Sequence, residues 1–400
     1  MDTKKILFVS GSLGLGHVFR DLAIAKAIRK RHPIVTISWL ADTPATIVLK
    51  DEGEHVLPES DFLNHGNDVL ENSTKNYRTN VGPNYVMKMR KESWPENINI
   101  LRRVLEKHNF DLVIGDETYD IIEGISQDPN LKKFPLIILF DFIGLEPVSY
   151  NPKERLAAHM INRYFVNLVK SKPPVADCFI FIGDVQDVRD KKFGFMLPNQ
   201  RKFAKTHLDF TGHILSFNPK DFENKTEIRK TLGYGNEQLV ICSVGGTASG
   251  KPLLNLCAKA FPIINKTIPD LRMVLVCGPR IRPESIEADG LEVRGYVKEL
   301  YMHFAASDLS IVMGGGTSTL ELTALKRPFI YFPLEKHFEQ EIHVTMRCQR
   351  HKAGIRMTYS KTTPELLAKE VISKINKKVD YMSIPTQGDQ KAAEIIGTFL

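Results

Sequence analysis

Strand-like apolar runs alternate with helix-periodic segments twice along this chain, and that alternation constrains the fold more than any other feature. In the first half, runs at 6–9, 35–40, 111–114, 136–140 and 179–182 are separated by helical patterns such as 20–31, and by a helix carrying Leu156, Met160 and Tyr164 on one face. In the second half, strand-like 239–244, 273–277, 292–293, 309–313 and 329–332 alternate with helical 252–264, 297–306 and a helix after Thr317. Parallel strands need a crossover, usually a helix packed on the sheet, so each half reads as its own doubly wound α/β domain. Between them, 206–224 breaks the rhythm with Gly212, Pro219 and several polar residues, which marks a domain boundary. The expectation is two Rossmann-like domains, 1–213 and 214–400, facing a central cleft, with a last amphipathic helix from 391 able to pack back on either. Segment 61–94 is polar, poor in strand pattern and interrupted by Gly82 and Pro83, so a long loop or lid is expected there.

Composition narrows the setting. With 400 residues, 42% hydrophobic and 25% charged, the chain is long enough for two separate cores. No apolar run approaches the ~18 to 20 residues that span a bilayer, and Lys4 and Lys5 lead directly into a strand without a signal-peptide pattern. A cytosolic protein is expected. The five cysteines are odd in number and scattered, which indicates neither a disulfide framework nor a zinc site. A net charge of +7 suits an acidic partner, whether nucleotide, anionic lipid surface or nucleic acid; no RNA- or DNA-binding signature accompanies it, and nucleic acid is not expected. Lys191, Lys192, Arg201, Lys202 and Lys205 surround the sequence FGFMLP at 193–198, a mixture that suits either a membrane surface or a solvated loop.

Two glycine-rich turns carry the chemistry. The stretch VMGGGTSTLE at 312–321 follows an apolar run and precedes a helix beginning at Thr317 or Ser318. Glycines let the backbone turn sharply and approach a ligand closely, and free N–H groups at a helix start seat a diphosphate. Glu321, one turn further in, is placed to accept both hydroxyls of a ribose. The alternative is a turn that only packs, with Glu321 as a surface charge. The second turn, GSLGLGH at 11–17, follows the first strand at the ligand-binding edge of an open sheet. Its spacing is not that of the dinucleotide fingerprint, and no such cofactor is expected. A neutral His17, its pKa held down by the helix start, could take a proton from an acceptor hydroxyl, or it could cap the helix or bind phosphate. Asp116 and Glu117 end another strand of the same sheet and could orient His17 or act as the base themselves. Asp141 could do likewise.

In order along the chain these residues resemble the GT-B glycosyltransferases, and among them family 28, which includes the bacterial enzyme that adds N-acetylglucosamine to an undecaprenyl-linked precursor. GSLGLGHVF at 11–19, FTGHIL at 210–215, SVGGTASG at 243–250, GYVKEL at 295–300, the 312–321 turn and the loop from Pro333 to Glu341 each look like a segment of that family. His213 stands where the family usually has asparagine, and Ser216 where an arginine would be expected. The resemblance implies an N-terminal acceptor-binding domain and a C-terminal nucleotide-sugar-binding domain. It implies donor contacts from Gly245, Gly246, Thr247 and Val297, a diphosphate seat at Gly315, Gly316, Thr317 and Ser318, and ribose on Glu321. It further implies sugar hydroxyls on Glu339, Gln340 and Glu341, charge neutralisation by His337, and Gly14 and Gly16 in the acceptor loop with His17 as base.

The reaction expected is an inverting, metal-independent transfer of a hexose or N-acetylhexosamine from a UDP-sugar to a hydroxyl acceptor. A polyprenyl or glycerolipid acceptor and a peripheral position on the inner face of the cell membrane are what the resemblance implies, together with Tyr85 to Trp94 and the basic stretch from Lys191 to Lys205. No cofactor and no bound metal are expected. The rival readings are a hydrolysing UDP-N-acetylglucosamine 2-epimerase and a non-catalytic nucleotide-sugar-binding subunit.

Overall fold

The computed structural model describes residues 3–11, 13–63, 66–79, 82–288 and 290–400; Ser12 of the first glycine turn and 64, 65, 80 and 81 of the expected lid lie outside the described residues. The chain forms two compact units, one of Met1–Val69, Asn80–Ser216 and Pro385–Leu400, the other of Leu70–Thr79 and Phe217–Ile384.

The first unit carries β1 (Lys4–Val9), β2 (Val35–Leu40), β3 (His55–Val56), β4 (Leu112–Asp116), β5 (Leu136–Phe140), β6 (Cys178–Ile182) and β7 (Asp209–Gly212). They make a seven-stranded sheet of order β3-β2-β1-β4-β5-β6-β7 in which every pairing is parallel. The central strands are buried along their length, as a parallel sheet covered on both faces requires. Leu7, Val113, Ile138 and Phe181 point into one core with Ile100, Ile121, Val166 and Phe203 from the helices. The C-terminal helix Gly388–Gly397 packs against the first helix, Gly16–Arg31, and Gly388 N–H bonds His213 O at 3.1 Å.

The second unit carries β8 (Leu239–Ser243), β9 (Arg272–Val276), β10 (Glu292–Arg294), β11 (Leu309–Met313), β12 (Phe329–Phe332) and β13 (Ile355–Arg356). Its six-stranded parallel sheet runs β10-β9-β8-β11-β12-β13. Ile241, Val274, Val312 and Tyr331 meet Phe304, Leu322 and Cys348 in a second core. Two parallel-sheet α/β units are what the alternation of apolar runs demands.

Two local expectations need correction. The stretch 61–94 is not a long loop: it holds the helices Gly66–Ser73 and Pro83–Glu92. Pro83 occupies the first turn, where a missing N–H costs nothing, so Gly82 and Pro83 start a helix and do not break one. The 206–224 segment is not wholly irregular, because Asp209–Gly212 adds an edge strand beside β6. The helix with Leu156, Met160 and Tyr164 on one face, Pro152–Val169, turns that face outward, with Leu156 61% and Met160 62% exposed. Its inward face is Ala158, Asn162 and Val166, where the Asn162 amide bonds Leu145 N–H, Leu145 O and Phe193 O at 2.7, 2.9 and 2.8 Å. A buried asparagine with its bonds satisfied hides a core-facing stripe from any apolar count.

Candidate active site

In an open α/β sheet ligands bind at the carboxyl ends of the strands, where the chain's connections diverge to opposite sides. In the first unit that point lies between β1, which leads outward to β2, and β4 on its other flank. The turn after β1 and the end of β4 therefore face one another, and His17 and Asp116 meet there with Nδ1 2.7 Å from Oδ2. Glycine suits position 11 in this turn: a Cβ there would press 3.0 Å from both Asp116 O and His17 Nδ1, so one of them would have to give way.

Asp116 is fully buried and also accepts from Arg20 Nη2 at 2.6 and 2.8 Å, while Arg20 Nη1 donates to Asp141 at 2.9 Å. Arg20 Nη2 lies 2.8 Å from His17 Nδ1 as well. A guanidinium is always a donor, so Asp116 is the acceptor for both, and the Nδ1 proton goes to the carboxylate. That leaves Nε2 as the nitrogen able to take a proton. Burial lowers the His17 pKa and Arg20 lowers it further, but the Asp116 carboxylate, by charge and hydrogen bond, together with Asp141 raises it on balance to about 9. This corrects the expectation of a histidine held neutral by the helix start: a buried carboxylate at contact distance dominates a partial dipole charge. Burial would raise Asp116 and Asp141, but Arg20 and then His17 hold both below the usual carboxylate range. Asp21, also fully buried, is pushed well up by burial and by Asp116, and Ser10 Oγ donates to it at 2.5 Å. Two carboxylates thus face two cations, and the third carboxyl, Asp21, is driven toward its neutral form.

Asp116 orients the imidazole, since both its oxygens are committed. Glu117 sits beside it at φ 50° and accepts from Asp141 N–H at 3.4 Å. Gly14, at φ 74°, donates its N–H to Asn67 Oδ1 at 2.9 Å, and Gly16 opens the helix that bears His17 and Arg20.

In the second unit the connections diverge between β8 and β11. Gly245, Gly246 and Thr247 follow β8; Gly314 and Gly315 follow β11 and lead into the helix Gly316–Ala324. No side chain caps that helix, and the first bond to a helix carbonyl is Thr319 N–H to Gly315 O at 3.3 Å. The N–H groups of Gly316, Thr317 and Ser318 therefore have no acceptor within the helix. Arg347, from the helix Thr345–Arg350, donates to Gly316 O and to Thr319 Oγ1, the latter at 3.1 Å, which sets a guanidinium beside the helix start. Glu321 is 7% exposed, and burial alone pushes its carboxyl up to about 8.

The loop after β12 leads into a π-helical turn, Glu339–Val344, of a kind that recurs at functional sites. Glu339 reaches the Gly316 end, its Oε1 lying 3.9 Å from where a Gly316 Cβ would be. Gln340 Oε1 accepts Leu334 N–H at 2.8 Å and so braces its own loop. The Glu341 carboxyl is half-buried and raised by burial. His337 is 4% exposed and burial lowers its pKa to about 4, so it is neutral where a cation was expected. The cation at the helix start is Arg347. Val297 lies in the turn before the helix Leu300–Ala306 and packs on the second core.

The residues that sequence reasoning missed are arginines. Arg20 follows His17 by three positions on one helix, the spacing that puts two side chains on one face, and that signal was readable. Arg347 and Arg280, the latter described below, carry no such local mark.

Comparison with known proteins bears on the fold and on the C-terminal domain. Residues 240–396 match the glycosyltransferase family 28 C-terminal domain. An uncharacterized glycosyltransferase of Methanopyrus kandleri is 24% identical over 297 residues, covering 74% of this chain and 77% of that protein. The UDP-N-acetylglucosamine–N-acetylmuramyl-(pentapeptide) pyrophosphoryl-undecaprenol N-acetylglucosamine transferase of Clostridioides difficile is 24% identical over 379 residues, covering 91% of this chain and 79% of that enzyme. The crystal structure of the glycotransferase of kitacinnamycin superposes with a TM-score of 0.60 at 13% identity and covers all of both chains, a likeness of fold. With two parallel α/β units, a glycine turn at each sheet's divergence point and these relatives, the chain has the GT-B glycosyltransferase fold and carries, over 240–396, a region similar to the family 28 C-terminal domain.

Proposed function

We propose that this protein transfers a hexose or N-acetylhexosamine from a UDP-sugar to a hydroxyl acceptor, with inversion and without a metal. The observation that carries the reading is the uncapped helix start at Gly316 with Arg347 beside it and Glu321 buried one turn on. Amide N–H groups, the helix dipole and a guanidinium suit a diphosphate, and a buried carboxyl without an ionic counterpart suits a pair of ribose hydroxyls. The acceptor oxygen attacks the anomeric carbon from the face opposite the nucleotide, and the bond from that carbon to the phosphate oxygen breaks. The electron pair leaves with UDP, whose growing charge the helix start and Arg347 stabilise, and the acceptor proton passes to His17 Nε2. Asp116 stabilises the imidazolium that results.

The test is UDP release from a panel of UDP-hexoses and UDP-N-acetylhexosamines, with and without a lipid extract, in chelator and in magnesium, with products weighed. The expected result is acceptor-dependent release, equal in chelator and magnesium, with an acceptor gain of one sugar mass. Release of free or epimerised sugar without acceptor would overturn transfer.

A lipid-linked acceptor is supported by the first unit's surface. Leu156 and Met160 are exposed on the helix whose His159 packs against Gly194, in the loop that carries Phe195 and Met196, each 83% exposed. Lys153, Arg155 and Arg163 on that helix and Lys192 in that loop are exposed too. Exposed apolar side chains accompanied by basic ones suit an anionic bilayer surface, and among the described residues no helix is long and apolar enough to cross one. Cosedimentation with phosphatidylglycerol vesicles is expected, and replacing Leu156, Met160 and Phe195 together with serine should weaken it by roughly tenfold or more. Undiminished cosedimentation would remove this face from the reading.

A further inference from the structure

A stretch from the first half of the sequence, Leu70–Thr79, is built into the second unit. Tyr77 anchors it: the side chain is fully buried, its ring stacks on Tyr359 with centroids 4.6 Å apart, and its hydroxyl donates to Phe332 O at 2.7 Å, at the end of β12. Thr79 N–H bonds Glu335 O at 2.9 Å, and Glu335 N–H bonds Tyr77 O at 3.1 Å. This end of the strap is held by burial and by main-chain bonds.

The other end is held by charge. Glu71 Oε1 accepts from Ala248 N–H and from Arg280 Nε, both at 2.7 Å, and Oε2 accepts from Arg280 Nη2 at 2.9 Å. Ala248 directly follows Gly245, Gly246 and Thr247 after β8, and Arg280 lies in the loop after β9. The two loops are in contact, since a Cβ on Gly278 would fall 2.1 Å from Gly245 O. Both belong to the carboxyl edge of the sheet that carries the Gly316 helix start, with β8 between β9 and β11.

A guanidinium edge and a main-chain N–H converging on one carboxylate form the donor set that takes a phosphate equally well. A second observation points to a ligand here: Thr247 is 5% exposed and its Oγ1 is buried without a hydrogen-bond partner, one residue before Ala248. A buried hydroxyl left unpaired is costly, and an acceptor arriving in this loop would relieve it. The Glu71 side chain keeps 18% of its surface exposed and Arg280 20%, so the pair is open to competition from solution.

We propose that Arg280 and the Ala248 N–H form an anion subsite of the donor-binding edge, and that Glu71 is its intramolecular occupant, displaced by the diphosphate of the donor. This rests on the nucleotide-sugar reading above for the identity of the ligand, though not for the subsite itself. A site filled by its own chain binds a competitor more weakly in proportion to the fraction of time it is filled. The strap then sets donor affinity, and a donor lacking an anionic group to displace Glu71 gains nothing from the subsite.

The experiment is calorimetric titration of the full chain with UDP and, separately, with inorganic pyrophosphate. The proteins are the natural sequence, Glu71→Gln, Arg280→Gln and the double variant, each checked for a native thermal transition, with Glu71→Ala as a second form should Glu71→Gln not fold. Removing the competing charge should tighten both ligands roughly tenfold. Arg280→Gln should weaken both by a similar factor, and the gain from Glu71→Gln should vanish in the double variant. Unchanged or weakened binding in Glu71→Gln overturns the proposal, because a carboxylate that only braces the loop would behave so; a gain that persists without Arg280 overturns it too. If no protein binds UDP while pyrophosphate shows the Arg280-dependent gain, the subsite stands and the nucleotide reading falls.

Discussion

Replacing His17 with alanine is expected to lower kcat by about 10²- to 10⁴-fold while leaving UDP affinity unchanged, the range that loss of a positioned general base produces. The two effects separate because His17 belongs to the first unit and the proposed diphosphate seat, at Gly316, to the second. The pH dependence gives a sharper test. A base works only when unprotonated, and His17 is raised to about 9 by Asp116 in the free protein. The kcat/KM should therefore climb about tenfold per pH unit from neutrality and level off near pH 9, where an ordinary histidine would level near 6.5. Asp116→Asn removes the carboxylate that raises His17, so the limb should move to lower pH while the plateau falls. The plateau falls because the imidazole loses its orienting partner. An unaltered turnover in His17→Ala would remove the base assignment outright, and an alkaline limb unmoved by Asp116→Asn would assign it to another group.

The second large effect is expected at Glu321. Glu321→Ala should weaken UDP binding by about 1.5 to 3 kcal/mol, roughly a tenfold to hundredfold loss, the worth of hydrogen bonds to an ionised group. Glu321→Gln, nearly isosteric, should fall between the two and guards against a packing defect. Uridine isolates the proton linkage, since it carries no phosphate to titrate. The free carboxyl is pushed up to about 8 by burial, whereas hydroxyls donating to it favour the ionised form. Binding should then release a proton, and uridine affinity should rise with pH until it flattens near 8. Affinity independent of pH, or equal in Glu321→Ala, would place the ribose elsewhere.

The arginines show why part of the site escaped the sequence. Arg280 and Glu71 are separated by more than half the chain and meet only because Leu70–Thr79 joins the second unit, which no local pattern announces. Arg347 reaches the Gly316 turn across the two strand-end loops that the β11–β12 pairing brings together. His17 was named as a base from its place after the first strand, but its charge state was misjudged. The partial charge of a helix start could be inferred from sequence, as could Asp116 as one of several possible partners; that its carboxylate would lie 2.7 Å away in a buried pocket could not.

By itself the sequence determined the two α/β units, because the alternation of apolar runs with 3.6-residue periodicity permits little else, and it marked both glycine turns, because close backbone approach selects glycine. It also determined where His17, Glu321 and the Gly315–Gly316 turn would lie in chain order. Tertiary structure alone decided the rest. It turned Leu156 and Met160 outward, since the loops around Asn162 took the inward face, and it made 61–94 helical. It also set the protonation of His17, Glu321 and His337. Charge state depends on desolvation and on neighbours within a few ångströms, and those neighbours come from strands far apart in the chain.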